Sequence, residues 1–263
     1  MTYESIEFQQ EGGIARIWLN RPDKLNSFTA AMHRDLADAL NQIEQKGARV
    51  LVISGRGRGF CAGQDLSERQ PGADGGRVDL GETVETFYAP LIRRLNALPL
   101  PVVVGVNGVA AGAGANLALA GGDIVVAAES ASFIQPFCRL GLIPDTGGTY
   151  ALPRLVGRAR ALGLALLGDK LPAAQAQQWG MIWECVPDAE LEARLDALAR
   201  HFAQAPTKGL AFTKRAIGES LGNTLDAQLD LERDMMRELG ASDDYAEGVA
   251  AFMEKRQPVF KGQ

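Results

Sequence analysis

The sequence predicts an α/β chain that winds through similar layers and ends in a purely helical region. Two patterns carry this reading. Up to about residue 187, short β-branched runs alternate with amphipathic stretches, and beyond it apolar residues recur only at helical spacing. The alternation alone leaves a spiral and an open doubly wound sheet both standing.

The elements follow in order. Residues 3–9 alternate, Glu11, Gly12 and Gly13 make a turn, and residues 14–19 complete a hairpin. Met32, Leu36, Leu40 and Ile43 mark one face of a helix that starts near Thr29. Residues 49–54 return as a strand, followed by a glycine-rich loop over 55–63 and a helix through Leu80, Val84, Phe87, Leu91 and Leu95. A buried strand is expected over 102–106, a helix after Gly112, strands near 123–128 and 131–134, and a helix beyond Gly148. Past Pro187, Leu191, Leu195, Leu198 and Phe202 share a helix face, and residues 206–220, 224–239 and 242–255 are helical in pattern. Leu225, Leu229 and Met236 form an apolar stripe that can pack inside the chain or on another subunit. Residues 70–76 read as a mobile loop rather than a domain boundary. The expected division is a core over 1–195 and a helical appendage over 196–263.

Among 263 residues, 27 Lys and Arg face 32 Asp and Glu, a net charge of −5. That balance argues against broad binding to nucleic acid or anionic membrane. Residues 95–122 carry no charge, but prolines, asparagines and six glycines interrupt them, so no membrane helix is expected. Cys61, Cys138 and Cys185 are far apart and read as reduced thiols of a cytoplasmic protein. Acidic residues stand at the N-terminus where a signal peptide would be basic and then apolar.

GxxxxGK[ST], GxSxG and HExxH are absent, and the GRGRG at 55–59 is a weak dinucleotide match. His33 and His201 sit in helical patterns and read as packing or surface residues, so no metal site is expected. Two small-residue segments are more informative, 59–66 (GFCAGQDL) and 106–117 (VNGVAAGAGANL). Each exposes backbone at a strand end, and the second runs into a helix whose first amides are unpaired and lie at the positive dipole end. Two converging amides make an oxyanion hole, although the same glycines also serve tight packing.

With residues 21–26 (RPDKLN) upstream and 140–148 (LGLIPDTGG) downstream, these segments resemble the crotonase, or enoyl-CoA hydratase/isomerase, family across essentially the whole chain. The resemblance implies a crotonase-type spiral of ββα turns, a C-terminal helical region that builds trimers or dimers of trimers, and an acyl-CoA thioester substrate. It implies no cofactor beyond the coenzyme A of the substrate, and no metal. By position, the amides of Ala62 and Ala113 would hold the thioester oxygen. Lys24, Leu25, Ala62, Gln64, Asp65 and Leu66 would line the CoA path, partly by main-chain contacts, and Lys255 and Lys261 would reach the nucleotide phosphates of their own or a neighbouring chain's ligand.

Family hydratases carry two glutamates that activate water. Here those positions read Asn116 and Phe137, which cannot exchange a proton at neutral pH and are left as substrate-lining residues. Asp145 remains, at a position where some family isomerases carry their acid; an Asp before Thr-Gly-Gly also suits a helix N-cap. Residues 158–168 (RARALGLALLG) and 229–234 (LDLERD) add a resemblance to the branch that converts ring-1,2-epoxyphenylacetyl-CoA to oxepin-CoA in aerobic phenylacetate breakdown. Phe133, Phe137, Phe87 and Tyr88 are candidates to touch such a ring, or simply core. The alternatives are a Δ3-Δ2-enoyl-CoA isomerase, an enoyl-CoA hydratase, and a non-catalytic binding protein of the same fold.

Overall fold

The computed structural model describes residues 3–69 and 78–263; the loop expected at 70–76 lies outside them. Strands β1 (Ile6–Glu11) and β2 (Ile14–Leu19) form the expected hairpin, turned on Gly12 and Gly13 at φ +58° and +80°. Helix α1 (Ala30–Gln45) starts on Thr29, whose hydroxyl accepts the Met32 amide at 3.2 Å, and it buries Met32, Leu36, Leu40 and Ile43. After β3 (Val50–Gly55), a three-residue strand β4 (Gly59–Cys61) stands within the predicted glycine loop. Three residues are too few to show a period.

The helix expected through Leu95 is broken into α2 (Leu80–Thr83), a π-helical turn over Val84–Tyr88 and α3 (Ala89–Ala97). Pro90 has no N–H to return to the preceding turn, so the ladder loosens there. Next come β5 (Val102–Val106), β6 (Val109–Ala111), α4 (Ala113–Gly121), β7 (Ile124–Ala128) and β8 (Ser132–Ile134). Beyond a 3-10 turn at Pro136–Leu140 lies α5 (Gly148–Leu167), bent where Gly157 takes φ +77°. Three small elements that the sequence reading lacks, β9 (Lys170–Pro172), α6 (Ala173–Gln178) and β10 (Glu184–Val186), lead to α7 (Leu191–Gln204), α8 (Thr207–Ser220), α9 (Leu225–Leu239) and α10 (Asp243–Glu254).

The strands form two sheets, β1-β2-β3-β5-β7-β10 and β4-β6-β8-β9. Each pair β3/β4, β5/β6 and β7/β8 places its first strand in the larger sheet and its second in the smaller, before a helix closes the turn. This is a spiral of ββα turns, not an open sheet. Parallel pairing and two covered faces explain why β5 is buried at all five positions.

The division placed after residue 195 falls inside α7, one continuous helix that buries Leu191, Leu195, Leu198, Ala199 and Phe202. Gly105 shows how close the contact is, since a Cβ there would lie 2.3 Å from Leu195. The appendage therefore begins near Pro206. It is held by Lys214, whose Nζ pairs with Asp123 at 2.9 Å and donates to the Leu95 carbonyl at 2.8 Å. Arg49 reaches the Ala205 and Phe260 carbonyls, and the buried Asp244 carboxylate accepts the amides of Lys261 and Gly262 at 2.6 and 2.8 Å.

Candidate active site

Small residues bring the two glycine segments together. A Cβ on Gly114 would lie 2.2 Å from the Cys61 carbonyl, so α4 starts pressed against the end of β4. Gly63, at φ +92°, turns the chain beside the same helix start; its Cβ position is 3.5 Å from the Ala113 nitrogen. Gly112, the cap of α4, offers no side chain to the first helical amides, which leaves the Ala113 N–H without an intrahelical acceptor at the positive dipole end.

The Ala62 amide does not fit the donor role assigned to it. It donates to the Leu25 carbonyl at 3.0 Å. Its neighbour two residues on, Gln64, has an amide with no acceptor among the described residues and follows directly on Gly63 beside Ala113. The signal lay in Gly63: a positive-φ residue reverses the peptide that follows and frees that N–H from the strand ladder.

The remaining residues of the first segments serve largely to hold its shape. Asn26, fully buried, donates to the carbonyls of Arg56 and Gly59, both at 2.9 Å, and of Phe60 at 3.1 Å, while its Oδ1 accepts the Arg21 amide at 2.8 Å. Its role was not singled out from sequence. Leu25 and Asn26 both adopt left-handed φ, and the carbonyl of Asn26 accepts the Cys61 thiol at 3.1 Å. Burial pushes that thiol up to about 12, so Cys61 is an inert packing group.

The Asp65 carboxylate is engaged within the chain. It accepts the Ser67 hydroxyl and amide and pairs with Arg21 at 2.9 Å, and these partners hold it below the usual carboxylate range. The Gln64 side chain accepts from the Tyr88 hydroxyl. Lys24 and Leu66 are exposed. Beside Gln64 opens a cleft of about 390 Å³ bordered by Ala30, His33, Thr83 and Phe87.

Phe137, 7% exposed, packs its ring over Gly112 and keeps that side of the α4 start dry. Tyr88 and Phe133 are buried in the core. Asn116 sits three residues beyond Ala113, about 4.5 Å along the helix. It is fully buried, accepting from Gln135 Nε2 at 2.8 Å and donating to the Asp145 carbonyl at 2.9 Å, so it is no substrate-lining group. Asp145 is half-buried, and its Oδ1 accepts the Thr146 hydroxyl at 2.9 Å. The cap of α5 is Gly147, not Asp145.

Lys255 caps the end of α10, and Lys261 lies in the C-terminal tail. The hydrogen bonds of the C-terminal tail run to Arg49, Asp244 and Glu247, none of which belongs to the segments around Gln64, Ala113 and Asp145. Among the described residues no group of three or more His, Cys, Asp or Glu side chains can hold a metal ion, and no helix is long and apolar enough to cross a membrane.

A family model described as enoyl-CoA hydratase/isomerase matches residues 9–263. The chain is 57% identical to the 1,2-epoxyphenylacetyl-CoA isomerase of Escherichia coli (strain K12) over 99% of both chains. It is 47% identical to a probable enoyl-CoA hydratase of Rhodobacter capsulatus over the full length of both. The crystal structure of an enoyl-CoA hydratase/isomerase from Cupriavidus metallidurans CH34 superposes with a TM-score of 0.92 at 31% identity, covering 100% of this chain and 98% of the other. Spiral, backbone donors and whole-length similarity agree: the chain belongs to the enoyl-CoA hydratase/isomerase family.

Proposed function

We propose that the protein is an acyl-CoA isomerase that converts ring-1,2-epoxyphenylacetyl-CoA to the seven-membered oxepin-CoA. The observation that carries the reading is the set of groups around α4: two backbone donors are available, Asn116 and Phe137 replace the water-activating pair, and Asp145 is the acid held against the same helix. The 57% identity to the Escherichia coli isomerase supports the choice of substrate.

In this reading the thioester oxygen lies between the amides of Gln64 and Ala113, and the negative charge it gains makes the α-proton acidic. Asp145 takes that proton. The C–C bond between the two epoxide carbons breaks, the ring expands to seven members, and the proton returns to a ring carbon. No atom enters or leaves, so neither water nor any cofactor beyond the substrate's own CoA is needed. Lys24 and Leu66 flank the CoA path. The same groups suit double-bond shifts in unsaturated acyl-CoAs.

Assembly completes the reading. Leu225, Leu229 and Met236 are 73%, 52% and 67% exposed along one stripe of α9, and a cavity of about 410 Å³ opens among Leu239, Tyr245, Val249, Phe252 and Phe260. Such apolar surface supports a homotrimer or dimer of trimers. In that assembly Lys255 and Lys261 serve a neighbour's CoA. We place this assembly in the cytoplasm.

The test pairs Asp145→Asn with two substrates. The native protein is expected to turn over the ring epoxide, and Asp145→Asn to lose turnover while still binding acyl-CoA. Turnover of linear 3-enoyl-CoA alone would move the assignment to a Δ3-Δ2-enoyl-CoA isomerase, and water addition to crotonyl-CoA would make it a hydratase. Acyl-CoA binding with no turnover of any of these would make it a binding protein.

A further inference from the structure

We propose that Asn116 and Gln135 form a buried amide pair that positions Asp145 against the helix carrying the Ala113 donor. The inference rests on the reading of Asp145 as the acid.

The loop that bears Asp145 holds one strained residue, Thr146. Gly141, Thr146 and Gly147 adopt φ of +69°, +53° and +80°, and Thr146 is a β-branched residue in a region that disfavours it. Such a backbone persists only where its surroundings fix it. One such anchor is the Asp145 carbonyl, which accepts the Gly148 amide at 2.8 Å and Asn116 Nδ2 at 2.9 Å.

Asn116 is itself locked. Its Oδ1 accepts Gln135 Nε2 at 2.8 Å, the two side chains are 0% and 2% exposed, and a Cβ on Gly148 would lie 2.3 Å from Asn116 Nδ2. Gln135 follows β8 and Asn116 lies on α4, so the pair joins two turns of the spiral behind the acid. The pair also carries a cost, because Gln135 Oε1 is buried without a hydrogen-bond partner among the described residues. A carboxylate at 116 cannot donate to the Asp145 carbonyl, so the acid required for water activation and this clamp are mutually exclusive at one position.

The test measures kcat and KM for the isomerised acyl-CoA, and binding of phenylacetyl-CoA as an unreactive probe, in Asn116→Leu, the near-isosteric Asn116→Asp, and Gln135→Leu. Loss of the clamp is expected to lower kcat by about 100-fold in Asn116→Leu, since a displacement near 1 Å has that effect. Probe binding and KM stay unchanged. Gln135→Leu is expected to lower kcat less, without loss of melting temperature. If Asn116→Leu does not fold, Asn116→Asp decides in its place. Full kcat in a folded position-116 variant, or binding that weakens in step with kcat, overturns the clamp. Asp145→Asn separates the two ideas: if it remains active the reading of Asp145 fails, and if it is inactive beside a fully active Asn116→Asp only the clamp fails.

Discussion

The amide of Ala62 donates to the carbonyl of Leu25 at 3.0 Å. This bond fastens the end of β4 to the upstream turn and leaves the next outward-facing N–H, that of Gln64, beside Ala113. The donor pair then depends on how closely α4 approaches β4.

Gly114 sets that approach. An alanine there would put its Cβ 2.2 Å from the Cys61 carbonyl, so helix and strand must separate. Gly114→Ala is expected to lower kcat on the order of 10²-fold, the effect of losing one oxyanion donor. Steady-state kinetics check this, and native kcat would show that the separation does not reach the thioester.

Asn26→Ala takes the side-chain donor from the carbonyls of Arg56 and Phe60 and the acceptor from the amide of Arg21, and leaves the Gly59 carbonyl with Asn107 Nδ2 at 3.3 Å. Buried groups left unsatisfied cost about 1–3 kcal/mol each. Urea titration should show a loss of about 3 kcal/mol or more, and a change within error would mean that water replaces the side chain.

His33 makes stability pH-dependent. It lies 4.8 Å from Phe28 and 5.0 Å from Phe87, stacked on both rings, with neither ring nitrogen hydrogen-bonded among the described residues, and burial lowers its pKa from 6.5 to about 4. Between those values the unfolded chain binds a proton that the folded one refuses. Stability is therefore full above pH 6.5 and falls as the pH drops toward 4, by about 3 kcal/mol from this group. His33→Phe is expected to flatten the urea midpoint over that window; an unchanged slope would assign the acid loss to other groups.

Leu229→Glu combined with Met236→Glu places two charges on the exposed stripe of α9. Sedimentation is expected to show the native protein as a trimer or larger and this variant as monomer. A native monomer, or an assembly indifferent to the change, would remove the stripe from the interface.

Much of the fold was legible because its signals are local. Thr29 and the four-residue stepping from Met32 mark α1, and the run at 102–106 marks a buried strand. What stayed hidden depends on distant partners. β4, β6, β9 and β10 have three residues each and exist as strands only because a neighbour supplies their hydrogen bonds. The engagement of the Ala62 amide was hidden for the same reason: its acceptor, the Leu25 carbonyl, lies 37 positions upstream. Asn116 and Gln135, 19 residues apart, look like ordinary polar side chains until β8 and α4 bring them into contact.

The way the spiral distributes its groups has an evolutionary corollary. Gln64 comes from the first coil, Ala113 from the second and Asp145 from the third. In the proposed mechanism, carbonyl polarisation and hydrogen relocation are thus encoded on separate stretches of gene. Mutation can rewrite the third stretch and redirect the outcome of a reaction while the machinery that starts it is inherited intact.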